Sequence, residues 1–208
     1  MVSLINIVCI IIVVIIVLWL IFKFNETEYV TSDSGNTYLL KIVEDKETSK
    51  QSANALDQIN KSNIILIDFL LNKYPQISWI KNLNENYKRN GSALSEAAIS
   101  TGLTSFTIDK TDMNICLRTR DDKDILYDYN TLMYVDLHEL SHMGNYNESG
   151  NPIEGHGIEF IQKFKFILKI AIKLGLYEWV NYNINPKEYC GIVITSQILS
   201  PSDLTVFN

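Results

Sequence analysis

Apolar residues recur along the chain with the spacings of helices and strands, and the first apolar run is continuous. Residues 4–22 carry no charge, and a helix of this length, at 1.5 Å per residue, is about long enough to cross a hydrocarbon core of ~30 Å. This run predicts a transmembrane helix, with residues 1–23 as an anchor. A cleaved signal peptide is the alternative, but no basic segment precedes the run and no small-residue cleavage site precedes Lys23. We therefore expect a single-pass membrane protein. The sequence does not determine on which side of the membrane the domain lies.

The segment that follows the predicted anchor is polar. Residues 24–50 are rich in Ser, Thr, Asp and Glu and predict a stalk. Apolar residues then return at helical spacing in residues 52–74 and 77–87, on either side of Pro75. Residues 51–208 are enough for one domain with a core of its own.

Strand patterns are confined to two parts of this domain. Alternating residues predict short strands at 104–109 and 113–118, joined as a hairpin around residues 110–112. A further strand is predicted at 189–199, near the end of the sequence. Since the remaining periodic segments are helical, the predicted fold class is α+β.

Two more helices are predicted in the second half of the chain. One covers residues 131–143, with Asn130 as N-cap and Gly144 as its stop. The other is strongly apolar and covers residues 158–174. A polar loop at 145–152 lies between them, so the two helices are expected to be neighbours in space.

The chain has three histidines, and all of them belong to this helix pair. His138 and His142 are four residues apart on one helix face, so both rings can bind a single Zn²⁺. His156 follows the polar loop, which is long enough for the chain to reverse and bring a third ligand. Glu139 lies between the first two ligands, in the position of a general base acting on a zinc-bound water. The pattern predicts a zinc hydrolase.

Some assignments remain open from the residues alone. The third ligand could instead be a nearby glutamate, or such a glutamate could orient a ligand histidine; these residues are Glu148, Glu154 and Glu159. Asp136 is interpreted as a solvated or capping carboxylate on the far side of the helix. The donor that would stabilise an oxyanion is not identified, and the tyrosines that could serve are Tyr127, Tyr129, Tyr146, Tyr182 and Tyr189.

Charge and cysteine content narrow the functional classes. The formal net charge of −6 argues against a broad basic surface, so nucleic acid is an unlikely partner. Cys9, Cys116 and Cys190 show neither metal-ligand nor disulfide-framework spacing. A buried thiol is therefore predicted for each cysteine.

The sequence His138-Glu-Leu-Ser-His142, followed by Glu154-Gly-His-Gly-Ile-Glu-Phe160, resembles the active-site core of SprT-like and WLM zinc metallopeptidases. That family includes Spartan-type proteases of DNA–protein crosslinks. Segments 105–120 and 127–132 also resemble WLM-like proteins of large DNA viruses. The resemblance implies a zincin-like domain with a small antiparallel sheet, zinc at His138, His142 and His156, and Glu139 as the catalytic base. It also implies that strand 114–118 lines the cleft and pairs with an extended substrate.

The interpretation that unites these features is a membrane-anchored zinc endopeptidase acting on a protein or peptide substrate. A Spartan-type protease is one alternative, which the predicted anchor and the acidic charge disfavour. A catalytically silent, zinc-stabilised binding module at a membrane is the other. The presence of Glu139 disfavours that module, because binding alone does not need a base at this position.

Overall fold

The computed structural model describes residues 4–24, 26–98, 101–121 and 123–204. Those parts of the predicted anchor, stalk and domain that fall on residues 1–3, 25, 99–100, 122 and 205–208 lie outside the described residues. The elements in chain order are α1 (Leu4–Phe24), β1 (Thr27–Thr31), β2 (Thr37–Lys41), α2 (Lys46–Lys73), α3 (Ser78–Asn86), β3 (Leu94–Glu96), β4 (Phe106–Ile108), β5 (Asp112–Ile115), α4 (Tyr129–Met143), α5 (Ile158–Lys173), β6 (Lys187–Tyr189), β7 (Ile192–Ile194) and α6 (Pro201–Leu204).

The apolar run near the start of the sequence forms α1. Across the described chain, no helix combines the length and the apolar character required to cross a membrane. This finding contradicts the predicted transmembrane helix and, with it, the predicted single-pass membrane localisation.

Five strands form one sheet in the order β1-β2-β3-β5-β4. The pairs β1–β2 and β4–β5 are antiparallel, whereas β2–β3 and β3–β5 are parallel. The fold is α+β, as expected, but the sheet is mixed and not the small antiparallel sheet that the resemblance implied. The reason lies in the connections, since α2 and α3 separate β2 from β3 and such a crossover allows parallel pairing.

The segment predicted to be a stalk is part of the folded domain. Residues 27–41 form the β1–β2 hairpin, in which Tyr38 and Leu40 are buried. The turn of this hairpin is bonded to the buried carboxylate of Asp57 on α2, whose Oδ1 accepts from Ser34 Oγ at 2.7 Å and Asn36 Nδ2 at 2.8 Å. The polar residues therefore serve as turn contacts of the sheet, and the stalk prediction is wrong.

The predicted helices are present, but α2 and α4 begin earlier than predicted, each after an aspartate that caps it. Helix α2 begins at Lys46, six residues before the predicted start, because Asp45 accepts from the backbone N–H groups of Glu47 and Thr48. Helix α4 is capped by Asp128, which accepts from Thr131 N at 2.9 Å. The predicted cap, Asn130, instead donates to Glu178 O.

The single strand predicted at 189–199 is instead a short hairpin made of β6 and β7. Its two-residue turn is Cys190-Gly191, with φ of 48° and 85°, and positive φ at both positions is typical of a type I′ turn. The Tyr189 hydroxyl donates to Cys116 O at 2.8 Å, beyond the end of β5. This contact holds the β6–β7 hairpin against the larger sheet.

Cys116 and Cys190 form a disulfide, with their Cα atoms 6.5 Å apart. Both residues are buried, but the prediction of free thiols at these positions is wrong. The two cysteines are 74 residues apart in sequence, so local cysteine spacing could not predict that they pair. Cys9 is free, and it is exposed rather than buried.

Removing this disulfide is expected to destabilise the domain. Cys116→Ala combined with Cys190→Ala should lower the free energy of unfolding by about 2–4 kcal/mol, because the cross-link restricts the unfolded chain over a long loop. Denaturant unfolding would measure the change, with Cys9→Ala as the matched control. Equal stabilities of wild type and double variant would show that the cross-link contributes nothing to the fold.

Candidate metal centre and active site

The three histidines converge at one point. Helix α4 carries His138 and His142 on one face, and His156 reaches them from the loop that leads into α5. The Nε2 atoms are 3.2 Å apart for His138 and His142, and 3.0 Å apart for each of the two pairs that include His156. Among the described residues, these three form the group that can hold a metal ion.

The donor set fits Zn²⁺. Two nitrogens bound at about 2.0–2.1 Å to a tetrahedral ion lie about 3.3–3.4 Å apart, so the observed separations require only small adjustments of the rings. Metal binding also requires neutral imidazoles. Burial, followed by the repulsion between the neighbouring rings, lowers the pKa of His138 to about 3, and burial lowers that of His142 to about 4. Both rings are therefore neutral at neutral pH, as metal binding requires.

Phe160, in the first turn of α5, packs against all three histidine rings. Its ring centroid lies 4.9 Å from that of His138, 4.3 Å from that of His142 and 4.8 Å from that of His156. Phe160 is the last residue of the motif 154–160, and the sequence alone assigns it no role. Its position four residues after His156, on the helix that follows, is the signal that could have indicated it. Phe160 restricts the orientations that the three rings can adopt.

Glu139 lies beside this cluster and is only 4% exposed. Burial raises the pKa of its carboxyl group to about 7, and a hydrogen bond from Thr107 acts against the rise. That bond runs from Thr107 Oγ1 to Glu139 Oε2 at 2.9 Å. Thr107 belongs to β4 and was not identified from sequence, since its distance along the chain from Glu139 gives no local signal. The carboxyl group thus has a pKa near neutral pH, and the bond from Thr107 fixes its orientation.

The glutamates considered as alternative ligands are not part of the histidine cluster. The side chain of Glu154 is 83% exposed and pairs with Lys110, whose Nζ lies 3.2 Å from its Oε1. Glu148 and Glu159 border a separate cavity, next to Trp79. The structure therefore brings His156 to the other two histidines as a potential ligand. Glu154 borders the same polar cavity, but none of the three carboxylates belongs to the group that could share one ion.

Asp136 does not have the solvated or capping role expected of it. It is 0% exposed, and its Oδ1 accepts from Asn63 Nδ2 on α2 at 3.0 Å. The face of α4 opposite the histidines is buried, and burial raises the pKa of Asp136 to about 8. Asp136 Oδ2 and Asn63 Oδ1 are both buried acceptors without a donor. A carboxyl group that keeps its proton at neutral pH carries an O–H donor, which an ionised carboxylate lacks.

A pH-dependent stability follows from this buried acid. Because the folded pKa is raised above the unfolded value of about 3.9, the contribution of Asp136 is fully present below pH ~4 and is lost as pH rises through about 8. Asp136→Asn should remove this component, which can reach about 1.4 kcal/mol per pH unit. Urea unfolding of the metal-free proteins between pH 5 and 8 measures it. The variant should gain stability relative to wild type as pH rises, and parallel curves would contradict the assignment.

The tyrosines proposed as oxyanion donors have other partners in most cases. Tyr127 OH accepts from Cys190 N, and the hydroxyls of Tyr129 and Tyr146 bond Ser62 and Asn86. The hydroxyl of Tyr182 is buried and interacts with Tyr177. Tyr189 borders the same cavity as Glu139, but its hydroxyl donates to Cys116 O. Among the described residues, none of the five offers a free hydroxyl at the histidines.

Two cavities meet at the histidine cluster. A polar cavity of about 270 Å³ is bordered by β4, Lys110 and Glu154. A cavity of about 530 Å³ on the other side is bordered mainly by apolar side chains. Both include His138, Glu139 and His156 in their walls, so a molecule that spans them would cross the site.

The strand that borders this site is β4, not the segment 114–118 that the resemblance indicated. Asn114 and Ile115 of that segment belong to β5, which is paired with β3 on one side and β4 on the other. Strand β4 is at the edge of the sheet and contributes Phe106 and Thr107 to the polar cavity. The outer edge of such a strand can pair with an extended peptide backbone.

The chain is similar to viral proteins. "Uncharacterized protein R325" of Acanthamoeba polyphaga mimivirus is 36% identical over 181 residues, which cover 84% of this chain and 86% of the relative. "Uncharacterized protein 136R" of Invertebrate iridescent virus 6 is 34% identical over 102 residues, 49% of this chain and 53% of that relative. No protein-family model and no solved structure matches the chain. Given the identity and coverage of the first relative, the chain belongs to the family of mimivirus protein R325.

Proposed function

We propose that this protein is a zinc-dependent endopeptidase. The observation that carries the proposal is the position of the buried carboxyl group of Glu139 on the same helix as two of three converging histidines. A purely structural metal site would be closed by a fourth protein ligand and would not need an adjacent buried acid. The resemblance of residues 138–160 to SprT-like and WLM metallopeptidases supports the same conclusion.

His138, His142 and His156 would hold the ion through their Nε2 atoms. When bound, Zn²⁺ supplies Lewis acidity, which activates water and polarises a carbonyl group. Glu139 takes a proton from the attacking water and passes it to the nitrogen of the departing amine. A group with a pKa near 7 can serve both steps at neutral pH, and Thr107 holds its Oε2 in place.

The substrate backbone would bind along the outer edge of β4. An extended peptide can add to that edge through main-chain hydrogen bonds, which positions it beside the histidines without dependence on its sequence. The net charge of −6 gives no support to a nucleic-acid-linked substrate of the Spartan type. A protein or peptide is the substrate class that the edge strand favours.

The test combines metal analysis with peptidase profiling of the full chain. We expect about one zinc per chain and cleavage of a peptide library at internal bonds. Chelation should abolish the cleavage, and added zinc should restore it. A protein that binds one zinc but cleaves nothing would be the silent binding module, whereas a protein that binds no zinc would overturn the metal centre as well.

A further inference from the structure

The larger of the two cavities at the histidine cluster has the chemistry of an apolar binding site. Its walls come from α4, from α5 and from the β6–β7 hairpin, and they include Val135, Ile161, Phe164, Ile192 and Ile194. Its volume of about 530 Å³ lies within the range of pockets that bind organic groups, about 300–1,000 Å³. We call it the apolar subsite.

The apolar subsite opens directly onto the reacting groups. His138, Glu139 and His156 belong both to its wall and to the wall of the polar cavity. An extended peptide along β4 directs successive side chains to opposite faces. When the scissile bond of this peptide lies at Glu139, a side chain next to that bond can point into the apolar subsite. The part of the peptide on the other side of the bond then passes the polar cavity near Lys110.

The hairpin wall of the apolar subsite is held in place before any ligand arrives. The Cys116–Cys190 disulfide joins its turn to the end of β5. Tyr189 bonds Cys116 O and shares a hydrogen bond of 2.7 Å with Ser105. The wall nevertheless leaves apolar surface open, since Val193 is 58% exposed. Concave, preformed apolar surface beside a reactive site is typical of a ligand site.

We propose that the apolar subsite selects substrates with a bulky apolar side chain of the Leu, Ile, Met or Phe type next to the cleaved bond. Ile161 and the β6–β7 hairpin are the positions that set this specificity. The inference rests on the proposed peptidase function, but it concerns the choice of substrate and has a readout that does not require cleavage.

The first test fills the apolar subsite. Ile161→Trp should reduce kcat/KM for peptides with Leu or Phe at the selected position by about tenfold or more, because the added ring takes the space of the substrate side chain. Cleavage next to Ala or Ser should change much less. The matched control is Ile65→Trp, the same replacement at an exposed isoleucine of α2, and it should keep the wild-type preference.

The second test changes the polarity of the rim. Val193→Asp places a charge on an already exposed position, so the fold should tolerate it. The preference for apolar residues next to the cleaved bond should weaken. The kcat/KM for peptides with Lys or Arg at that position should rise. Ile184→Asp is the control, since Ile184 is exposed and is not part of the wall. A wild-type enzyme without any apolar preference, or a preference unchanged in both wall variants, would overturn the inference.

The third test measures binding alone, so that it can be read even if no peptide is cleaved. Fluorescent peptides that differ only in Leu or Gly at one position would be titrated into zinc-loaded Glu139→Gln. The Leu peptide should bind about tenfold more tightly, and the added Ile161→Trp change should remove the difference. Absence of cleavage by wild type would count against the proposed function, whereas equal affinities for the two peptides would overturn the apolar subsite.

Discussion

Glu139→Gln is expected to keep the fold and the metal and to lower kcat by a factor of about 10²–10⁴, the usual contribution of a general acid–base group. The amide preserves the shape of the side chain and its contact with Thr107, whose Oγ1 lies 2.9 Å from Glu139 Oε2. It cannot accept the proton of the attacking water. Because Glu139 is buried, loss of its charge should not destabilise the metal-free protein.

The control for this variant is Glu154→Gln, which removes one carboxylate from the border of the same polar cavity. Glu154 is exposed and outside the histidine cluster, so kcat should change little. Metal content and unfolding would be measured for both variants alongside single-turnover kinetics. Wild-type kcat in Glu139→Gln would refute the assignment of the base.

His156→Ala should weaken zinc binding by more than about 100-fold, beyond the 10–100-fold loss typical of outer-shell partners. The remaining pair, His138 and His142, would leave the ion with two protein ligands in place of the three that catalytic zinc sites use. His156 is exposed, so removing its ring should leave the metal-free fold stable. Competition with a coloured zinc chelator would measure the affinity.

The controls for the third ligand are Glu154→Ala and Glu159→Ala. Neither carboxylate belongs to the histidine cluster, so both variants should retain wild-type zinc affinity. If His156→Ala binds zinc as tightly as wild type while one of these glutamate variants does not, the third ligand is a carboxylate and the observed convergence of the rings is not the metal site.

The features that sequence could predict are local ones. His138, Glu139 and His142 fall within two turns of one helix, so their relative positions follow from helical geometry alone. His156 could be added because a short loop joins the two helices. The β4–β5 hairpin was predicted for the same reason, since its residues are adjacent and its pattern alternates.

The features that sequence could not predict depend on distant partners. Thr107 reaches Glu139 only because the sheet lies beside α4, and Cys116 meets Cys190 only after the β6–β7 hairpin folds against β5. Polar residues before Lys46 suggested a solvated linker, whereas many of them bond to α2 or cap it. Asp136 was judged by its charge, but in the fold it is a buried acid bonded to Asn63.

X-ray absorption at the zinc edge tests the central claim most directly, because it counts the ligands of the ion in the intact protein. Three imidazole nitrogens at about 2.0–2.1 Å, with a non-protein oxygen in the open position, are the result expected of a catalytic site made by His138, His142 and His156. A bound zinc with a fourth ligand from the protein, or one held by fewer than three imidazoles, would contradict it.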